Sequence, residues 1–535
     1  MIENLIISFT SEHEDYLRDE SRRVGEAKSI SFPKNENEIV KILKLLEMVK
    51  IEVTVQGART GIAAGAVPQG GHVLNLSKMN KLKGLRFNEK NGCFYLKLEP
   101  GVLLSELREV LTSKRFETGN WSKESVEAVN LLKASGKYFF PPDPTETSAS
   151  IGGMVSCNAS GACSFKYGPT RGYIEYLNII LIDGAMLKIK RGDQCARERY
   201  FHIQRLPSGV TINGIIPSYK IPNVKNASGF HADTGMDLID LFIGSEGTLG
   251  IITEIEVKLI PEPKFKYGIT GFFPCETAAL RFIKEIRKDK EEMIFNKAEE
   301  VIYKPAAIEF FNSNALKLLK YQKTINPAFN KLLEIKSKYN TAVYIEYHGD
   351  NKEVVLSRLI QCAEIMTLCE GDEEDTWVAT NVQDMEKLHF FRHSTPEAVN
   401  LLIDNRRKIY PELTKLGTDM AVPNEFLESV MEMYNKGIVE SGLEAVMFGH
   451  IGDNHIHVNI VPRNMEEYFT GKKLYSYWAS RVIEMGGTVS AEHGIGKLKT
   501  SLLLEMYGLK GITEMKELKT LFDPDMRLNR GNLFS

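Results

Sequence analysis

Cysteine is scarce: seven in 535 residues (Cys93, Cys157, Cys163, Cys195, Cys275, Cys362 and Cys369), with no C-x-x-C pair among them. That spacing excludes an iron–sulfur cluster and a disulfide framework, so the thiols read as reduced packing residues. A metal role for Cys157 and Cys163 is the weaker alternative. There is no basic surplus either: 67 Lys+Arg stand against 70 Asp+Glu, a net charge of -3, which leaves nucleic acid without the cationic surface it needs. No apolar run approaches the ~18–20 residues that cross a bilayer. The opening MIENLIISFTSEHEDYLRDESRR lacks the basic and apolar regions of a secretory signal, and no basic amphipathic helix stands out. The expected location is the cytoplasm, at most peripheral to a membrane. Internal repeats and low-complexity tracts are missing too. What remains, 43% hydrophobic and 26% charged, is a globular chain long enough for several cores.

The hydrophobic spacing divides the chain. Ile39, Ile42, Leu43 and Leu46 recur at helical spacing between two β-branched runs, which predicts strand, helix, strand over 29–57. Strands are predicted at His72–Leu76, Phe94–Leu98, Tyr176–Ile182, Met186–Ile189 and Ile251–Leu259, with a helix near Ser105–Leu111. Pro261-Glu262-Pro263 then marks a boundary. Beyond it, helices at Glu276–Arg287, Ala315–Tyr321 and Glu353–Leu368 alternate with strands at Ile308–Phe311 and Ala342–Tyr347, followed by a strand at Ala445–Phe448, a helix around Tyr475–Met485 and a polar tail at Asp523–Phe534. The expected units are a lead segment 1–28, an α/β domain 29–263, a cap domain 264–440 and a C-terminal segment 441–535, an α+β chain overall.

Two tracts of small residues stand out. Gln56-Gly57-Ala58-Arg59-Thr60-Gly61-Ile62-Ala63-Ala64-Gly65-Ala66 follows a strand and lets backbone N–H groups surround an anion, as a pyrophosphate requires. It is neither a Walker loop nor G-x-G-x-x-G. Ile151-Gly152-Gly153-Met154-Val155-Ser156-Cys157-Asn158-Ala159-Ser160-Gly161 is read as a second loop, too polar and glycine-rich for the core. Two such loops suggest a long ligand.

Four of the eleven histidines fall between Gly449 and Gly494. In His450-Ile451-Gly452-Asp453-Asn454-His455-Ile456-His457-Val458-Asn459 the alternation puts His455, His457 and Asn459 on one face of a strand. Farther on, Glu492-His493 sits between glycines in Gly486–Gly496. Two imidazoles and a carboxylate make a three-ligand set with positions left open for substrate. Any one of these histidines alone reads better as a hydrogen-bonded surface residue; their clustering reverses that.

The first loop, Phe140-Pro141-Pro142-Asp143-Pro144, the Gly152-Gly153 tract, Tyr167-Gly168-Pro169-Thr170-Arg171 and Gly244-Ser245-Glu246-Gly247-Thr248-Leu249-Gly250-Ile251-Ile252 together resemble the FAD-binding (PCMH-type) domain of the vanillyl-alcohol-oxidase superfamily. The C-terminal motifs resemble the FAD-linked 2-hydroxyacid dehydrogenases of D-lactate dehydrogenase and glycolate oxidase flavin-subunit type. The resemblance implies a two-subdomain FAD-binding domain followed by an α+β cap and C-terminal FAD-linked oxidase domain. It implies FAD contacts at Gly57, Ala58, Arg59, Thr60, Gly61, Gly65 and Ala66, at Pro142 and Asp143, at Gly152, Gly153, Ser156 and Asn158, at Gly168, and at Glu246, Gly250 and Ile251. No histidine lies in the first loop to tether a flavin, so the FAD is expected to be non-covalent; His72, the nearest, lies beyond it. Arg59 either turns away from the phosphate or contacts it.

The resemblance further implies that His450, His457 and Glu492 bind a divalent metal, zinc being the first expectation, and that His455, standing where the family has Asn, adds a ligand or a hydrogen bond. His493 is the implied base, Arg392 in Phe391-Arg392-His393-Ser394-Thr395-Pro396-Glu397-Ala398 the implied clamp on a substrate carboxylate, and Asn459 a substrate or orienting contact; Lys415 is a second candidate cation. The expected reaction is oxidation of a small (D-)2-hydroxy acid to a 2-oxo acid, hydride passing to flavin N5 as the metal-bound hydroxyl loses its proton. The alternatives are an oxidase of a sugar alcohol or lactone, and a metal-dependent hydrolase with purely structural glycine loops. Electrons are expected to leave to an external acceptor (an electron-transfer flavoprotein, a quinone or an iron–sulfur subunit), and a homodimer is compatible with the sequence.

Overall fold

The computed structural model describes residues 5–292 and 304–534. Asn35 caps the helix Glu36–Glu47 by accepting the Glu38 N–H at 3.0 Å, and the predicted Ile39, Ile42, Leu43 and Leu46 form its buried stripe. That helix is the crossover between Ser29–Ser31 and Val53–Gln56, which flank His72–Asn75 in parallel; Ile7–Ser8 adds an antiparallel edge. A second, six-stranded sheet is antiparallel throughout and is centred on the long strand Ile251–Pro261, between Cys93–Leu98 and Ile174–Ile180. Besides the hairpin Tyr200–Gln204 and Thr211–Ile215, the described first half of the chain thus has two larger sheets, and Ile180, Ile182 and Ile251 join them through one core with Ile39, Leu43 and Leu74.

The second half is organised by an eight-stranded sheet. Phe265–Phe273, Thr341–Gly349 and Pro305–Phe311 pair antiparallel, followed by Ala445–Gly449 and His455–Ile460, so strands on both sides of residue 440 share this sheet. Register partners share a face. Tyr344 opposes Glu309, Phe311 opposes Phe448, and Phe448 opposes His457. One face therefore carries Tyr344, Glu346, His348, Glu309, His455, His457 and Asn459. The other carries Ile308, Phe310, Val343, Ile345, Ile456 and Val458, buried against Phe282 and Ile283 of Glu276–Glu292 and Val355 and Leu359 of Lys352–Leu368. Apolar and titratable residues alternate, and the titratable face turns toward the first half, where Ala162 and Cys163 pack with Phe311, Tyr344 and Val446.

Two expectations are corrected. The tract from Ile151 is not all loop: Ile151–Cys157 is a helix, capped by Ser150, with Ile151, Met154 and Val155 in the core. Its glycines buy closeness, because a Cβ on Gly152 would lie 2.5 Å from that of Pro100. Nor is Asp523–Phe534 a solvated tail. Leu528 is fully buried and bridges to Val53, while Asp523 accepts the backbone N–H groups of Arg527 and Leu528 and the ammonium of Lys519. Its polar residues are spent on backbone, so no hydrophobic period marks it. Among the described residues no helix is long and apolar enough to cross a membrane.

His72 yields a pH prediction. It is fully buried, with Nδ1 2.8 Å from Ser29 Oγ and no hydrogen-bond partner for Nε2 among the described residues. Burial lowers its pKa from 6.5 to about 4. Protonation then favours the unfolded chain, so this contribution, on the order of 3 kcal/mol, is intact above pH 6.5 and lost as the pH falls toward 4. Urea midpoints are expected to drop from pH 7 to pH 5, and to drop less in His72→Leu; parallel curves for the two proteins would contradict this origin.

Candidate active site

The site lies where the titratable face of the large sheet meets the glycine tracts of the first half. The tight turn after His450 ends at Asn454 with φ 53, which returns the chain so that His455 and His457 come back beside His450. Among the described residues, His450, His455, His457 and Glu492 each offer one donor atom, all within 4.8 Å of one another. His450 Nε2 is 3.3 Å, and His457 Nε2 3.9 Å, from the Glu492 carboxylate. Their Nδ1 atoms are held elsewhere: that of His450 is 2.6 Å from Glu309 Oε1, and that of His457 2.9 Å from the Thr418 carbonyl. Burial pulls the His450 imidazole down, but the carboxylates of Glu309 and Glu492 outweigh it and push it up to about 9. Burial likewise raises the Glu492 carboxyl, yet His450 and Lys225 bring it well below the usual range. Buried imidazoles converging on an ionised carboxylate, with their far nitrogens pinned, suit a divalent ion.

His493 stacks on His457 with ring centroids 5.5 Å apart, its Nδ1 3.3 Å from Asp419 Oδ2 and its Nε2 4.0 Å from Glu492 Oε2. Asp419 is the hub that sequence reasoning missed. It accepts the backbone N–H groups of Glu492 and His493 at 3.1 and 3.0 Å and the Lys499 ammonium at 2.7 Å. Lys225 and Glu309 were missed as well. Lys225 pairs with Glu492 and lies 3.2 Å from the Gly161 carbonyl. Each is a single charged residue whose partners are remote in sequence, and no local pattern announces it.

Arg392 stands on the helix Val382–Arg407, with Glu309 and Asp143 as its main electrostatic partners. Glu309 thus couples the guanidinium to His450. Its neighbour His393, which is exposed, accepts at Nε2 from the Arg392 guanidinium, 3.0 Å away. Asn459 is buried on the His457 face, its Nδ2 3.4 Å from the His457 carbonyl. Lys415 is elsewhere: burial lowers it to about 8, and its charged neighbours are Arg22 and Asp404.

The glycine tracts and the Glu492-His493 motif touch. A Cβ on Gly57 would lie 2.2 Å from Ser150 Oγ, to which Ala58 donates at 3.3 Å. Beyond that contact the first loop is open, with no described atom within 4 Å of a Cβ placed on Gly61; its exposed backbone suits a phosphate. Thr60 is half-buried, Ala66 accepts from Gln56 Nε2, and Arg59, at φ 62, stacks its guanidinium 4.3 Å from the Tyr16 ring. Gly65 and the motif are linked by Lys497, whose ammonium lies 3.2 Å from the Gly65 carbonyl and whose N–H donates to Ala63 at 2.9 Å. Glu246 clamps the same motif, accepting from the Ile495 and Gly496 N–H groups at 2.6 and 2.8 Å, while its own N–H donates to Ser156. Asn158 caps its helix at φ 50, Gly153 donates to Ser150, and Gly168 ends a short helix at φ 76. Gly152, Gly250 and Ile251 face the interior, and Pro142 and Asp143 are tied to Arg108. A cavity of about 320 Å³ bordered by Asn158, Ser160, Lys225, Asp453 and Ala491 opens between the two halves.

Gly496 is the tightest point of this junction. At φ 50, a Cβ there would lie 2.0 Å from the Ala63 carbonyl. Gly496→Ala is expected to cost about 2–3 kcal/mol and to lower the flavin content of the purified protein; full flavin occupancy with unchanged stability would show that the contact is dispensable.

A second group, Cys163, Glu346 and His348, also lies within 4.8 Å. There Glu346 already receives His348, Tyr344 and His389, and the other His348 nitrogen meets Tyr167. Burial holds the Cys163 thiol well above its usual range. This is a satisfied hydrogen-bond network.

Glycine loops abutting a buried donor cluster suit a phosphate-bearing cofactor beside a metal site, and comparison with known proteins gives the class, an FAD-linked oxidoreductase. Residues 27–129 and 124–190 match the FAD binding domain, and 293–533 match the C-terminal domain of FAD linked oxidases. Together the two matches give the chain the FAD-binding and C-terminal domains of the FAD-linked oxidases. It is 28% identical to D-lactate dehydrogenase of Anaerostipes hadrus, over 97% of this chain and 93% of that one. It is 26% identical to glycolate oxidase subunit GlcD of Bacillus subtilis (strain 168), over 95% and 89%. It is 23% identical to D-2-hydroxyglutarate dehydrogenase of Stutzerimonas stutzeri (strain A1501), over 97% and 94%. The fold is similar to that of alkyldihydroxyacetonephosphate synthase, with a TM-score of 0.60 at 15% identity over 98% of this chain and 82% of that one.

Proposed function

We propose that the protein oxidises a small 2-hydroxy acid of D configuration to the 2-oxo acid, using FAD and a divalent ion. The observation that carries this reading is the seat of the Glu492-His493 motif: through Lys497 it rests on the first glycine loop and through Glu246 on the second tract at Ser156, while Glu492 and His450 belong to the donor cluster. When bound, FAD supplies a two-electron acceptor and the ion makes the substrate hydroxyl more acidic.

The protein's own residues do the rest. The Arg392 guanidinium forks onto the substrate carboxylate and orients the α-carbon. His493 takes the hydroxyl proton at Nε2, because Asp419 engages Nδ1 and fixes the ring. Asn459 and Glu309 keep His457 and Arg392 in place, and burial of the cluster keeps water from competing. The electrons leave to an external acceptor, since the cysteines offer no iron–sulfur ligand set. The test is an anaerobic titration of the purified, metal-supplemented protein with D-lactate, glycolate and D-2-hydroxyglutarate. Bleaching of the flavin band by one of them names the substrate class; a colourless protein, or a flavin that none of them reduces, would overturn the reading.

A further inference from the structure

His455 is wholly buried, with ring centroids 4.3 Å from His457 and 5.4 Å from His450. Its Nε2 lies 3.0 Å from Asp419 Oδ1, and its Nδ1 has no hydrogen-bond partner among the described residues. A buried imidazole left in that state is costly unless something else satisfies it. One of its nitrogens falls within 4.8 Å of the donor atoms of His450, His457 and Glu492. The three rings also share a pattern: each turns one nitrogen to an acceptor, His450 to Glu309, His457 to the Thr418 carbonyl and His455 to Asp419. Metal-bound imidazoles are oriented in this way.

We infer that His455 is a fourth protein ligand of the divalent ion, and that the ion is therefore one that accepts five or six ligands, such as Mn2+, Fe2+ or Co2+, in place of a four-coordinate zinc. The inference rests on the metal-assisted reading proposed above. Catalytic zinc keeps three protein ligands and an open position, and four protein donors would complete its tetrahedron. An octahedral ion holding three imidazoles and Glu492 keeps two positions. A 2-hydroxy acid fills two, through its hydroxyl and one carboxylate oxygen, in a five-membered chelate.

The experiment uses the full-length flavoprotein, stripped with a chelator and reloaded separately with Mn2+, Co2+ and Zn2+. Three measurements follow: the dissociation constant by competition with a fluorescent chelator, the visible spectrum of the Co2+ form, and the imidazole count from X-ray absorption of Co2+-loaded wild type. The expected results are weak Co2+ bands typical of six-coordination, three imidazoles, and at least tenfold weaker Mn2+ binding in His455→Asn at unchanged flavin content. Intense four-coordinate Co2+ bands, two imidazoles, or equal Mn2+ affinity in variant and wild type would overturn the fourth ligand while leaving the metal-assisted reading standing. Failure of wild type to bind any of the three ions stoichiometrically would overturn both. The wild-type absorption measurement decides the matter even where His455→Asn does not fold.

Discussion

His493→Ala is expected to stay yellow and stop working. The His493 side chain is partly exposed, and among the described residues its polar and ring partners are Asp419, Glu492 and His457 and not the glycine loops, so flavin content and folding should match wild type. Loss of the proton acceptor should slow anaerobic flavin reduction by about 10²–10⁴-fold. Stopped-flow absorbance at saturating hydroxy acid measures this directly. Asp419→Asn provides the companion measurement. It keeps a side chain beside His493 Nδ1 but removes the charge, so as a positioning residue it should alter the pH profile of flavin reduction more than its maximum. An His493→Ala enzyme that reduces its flavin at the wild-type rate would remove His493 from the chemistry.

Arg392→Met carries the second large effect. Charge-assisted bonds to a carboxylate contribute about 1.5–3 kcal/mol each, so losing a two-pronged clamp should lower kcat/KM by about 10²–10⁴-fold. Truncation also takes one cation from Glu309 and Asp143, leaving them His450 and Arg108, so stability will fall as well, and activity alone would not separate the two causes. The discriminating probe is a neutral analogue, the amide of the same hydroxy acid. Wild type should prefer the acid strongly; Arg392→Met should lose that preference while processing the amide about as well as wild type does. Arg392→Lys should not restore the preference, because an ammonium cannot reproduce the planar fork. Retained preference in Arg392→Met would assign carboxylate recognition to another cation.

The regular elements were legible because each has a period. Ile39, Ile42, Leu43 and Leu46 write a helix, and the alternation through His455, His457 and Asn459 writes a strand whose two faces differ in chemistry. The helix Val382–Arg407 left no such mark, since Ser394 and Thr395 interrupt its buried stripe and Pro396 sits inside it. The helix at Ile151 was hidden by glycines selected for close approach. The candidate ligands could be read because His450, His455 and His457 share one short stretch and Glu492 stands beside His493 between glycines, whereas their supports could not. Glu309 comes from the strand Pro305–Phe311, Asp419 from the link between two short strands and Lys225 from a loop of the first half, and only the folded chain brings the three together.

The stretch Arg527–Asn529 lies against Val53 and Val55, pairing with them as an extra edge: Asn529 Oδ1 accepts the Val55 N–H at 2.7 Å across 474 positions of sequence. During translation the nucleotide-holding half is therefore begun early and completed late. Its edge strand must wait, unpaired, until the 474 positions between Val55 and Asn529 have been made, and such an open edge invites sticking to neighbours. Nascent chains stalled before residue 523 are accordingly expected to keep that edge open and to aggregate more than chains that extend past Asn529.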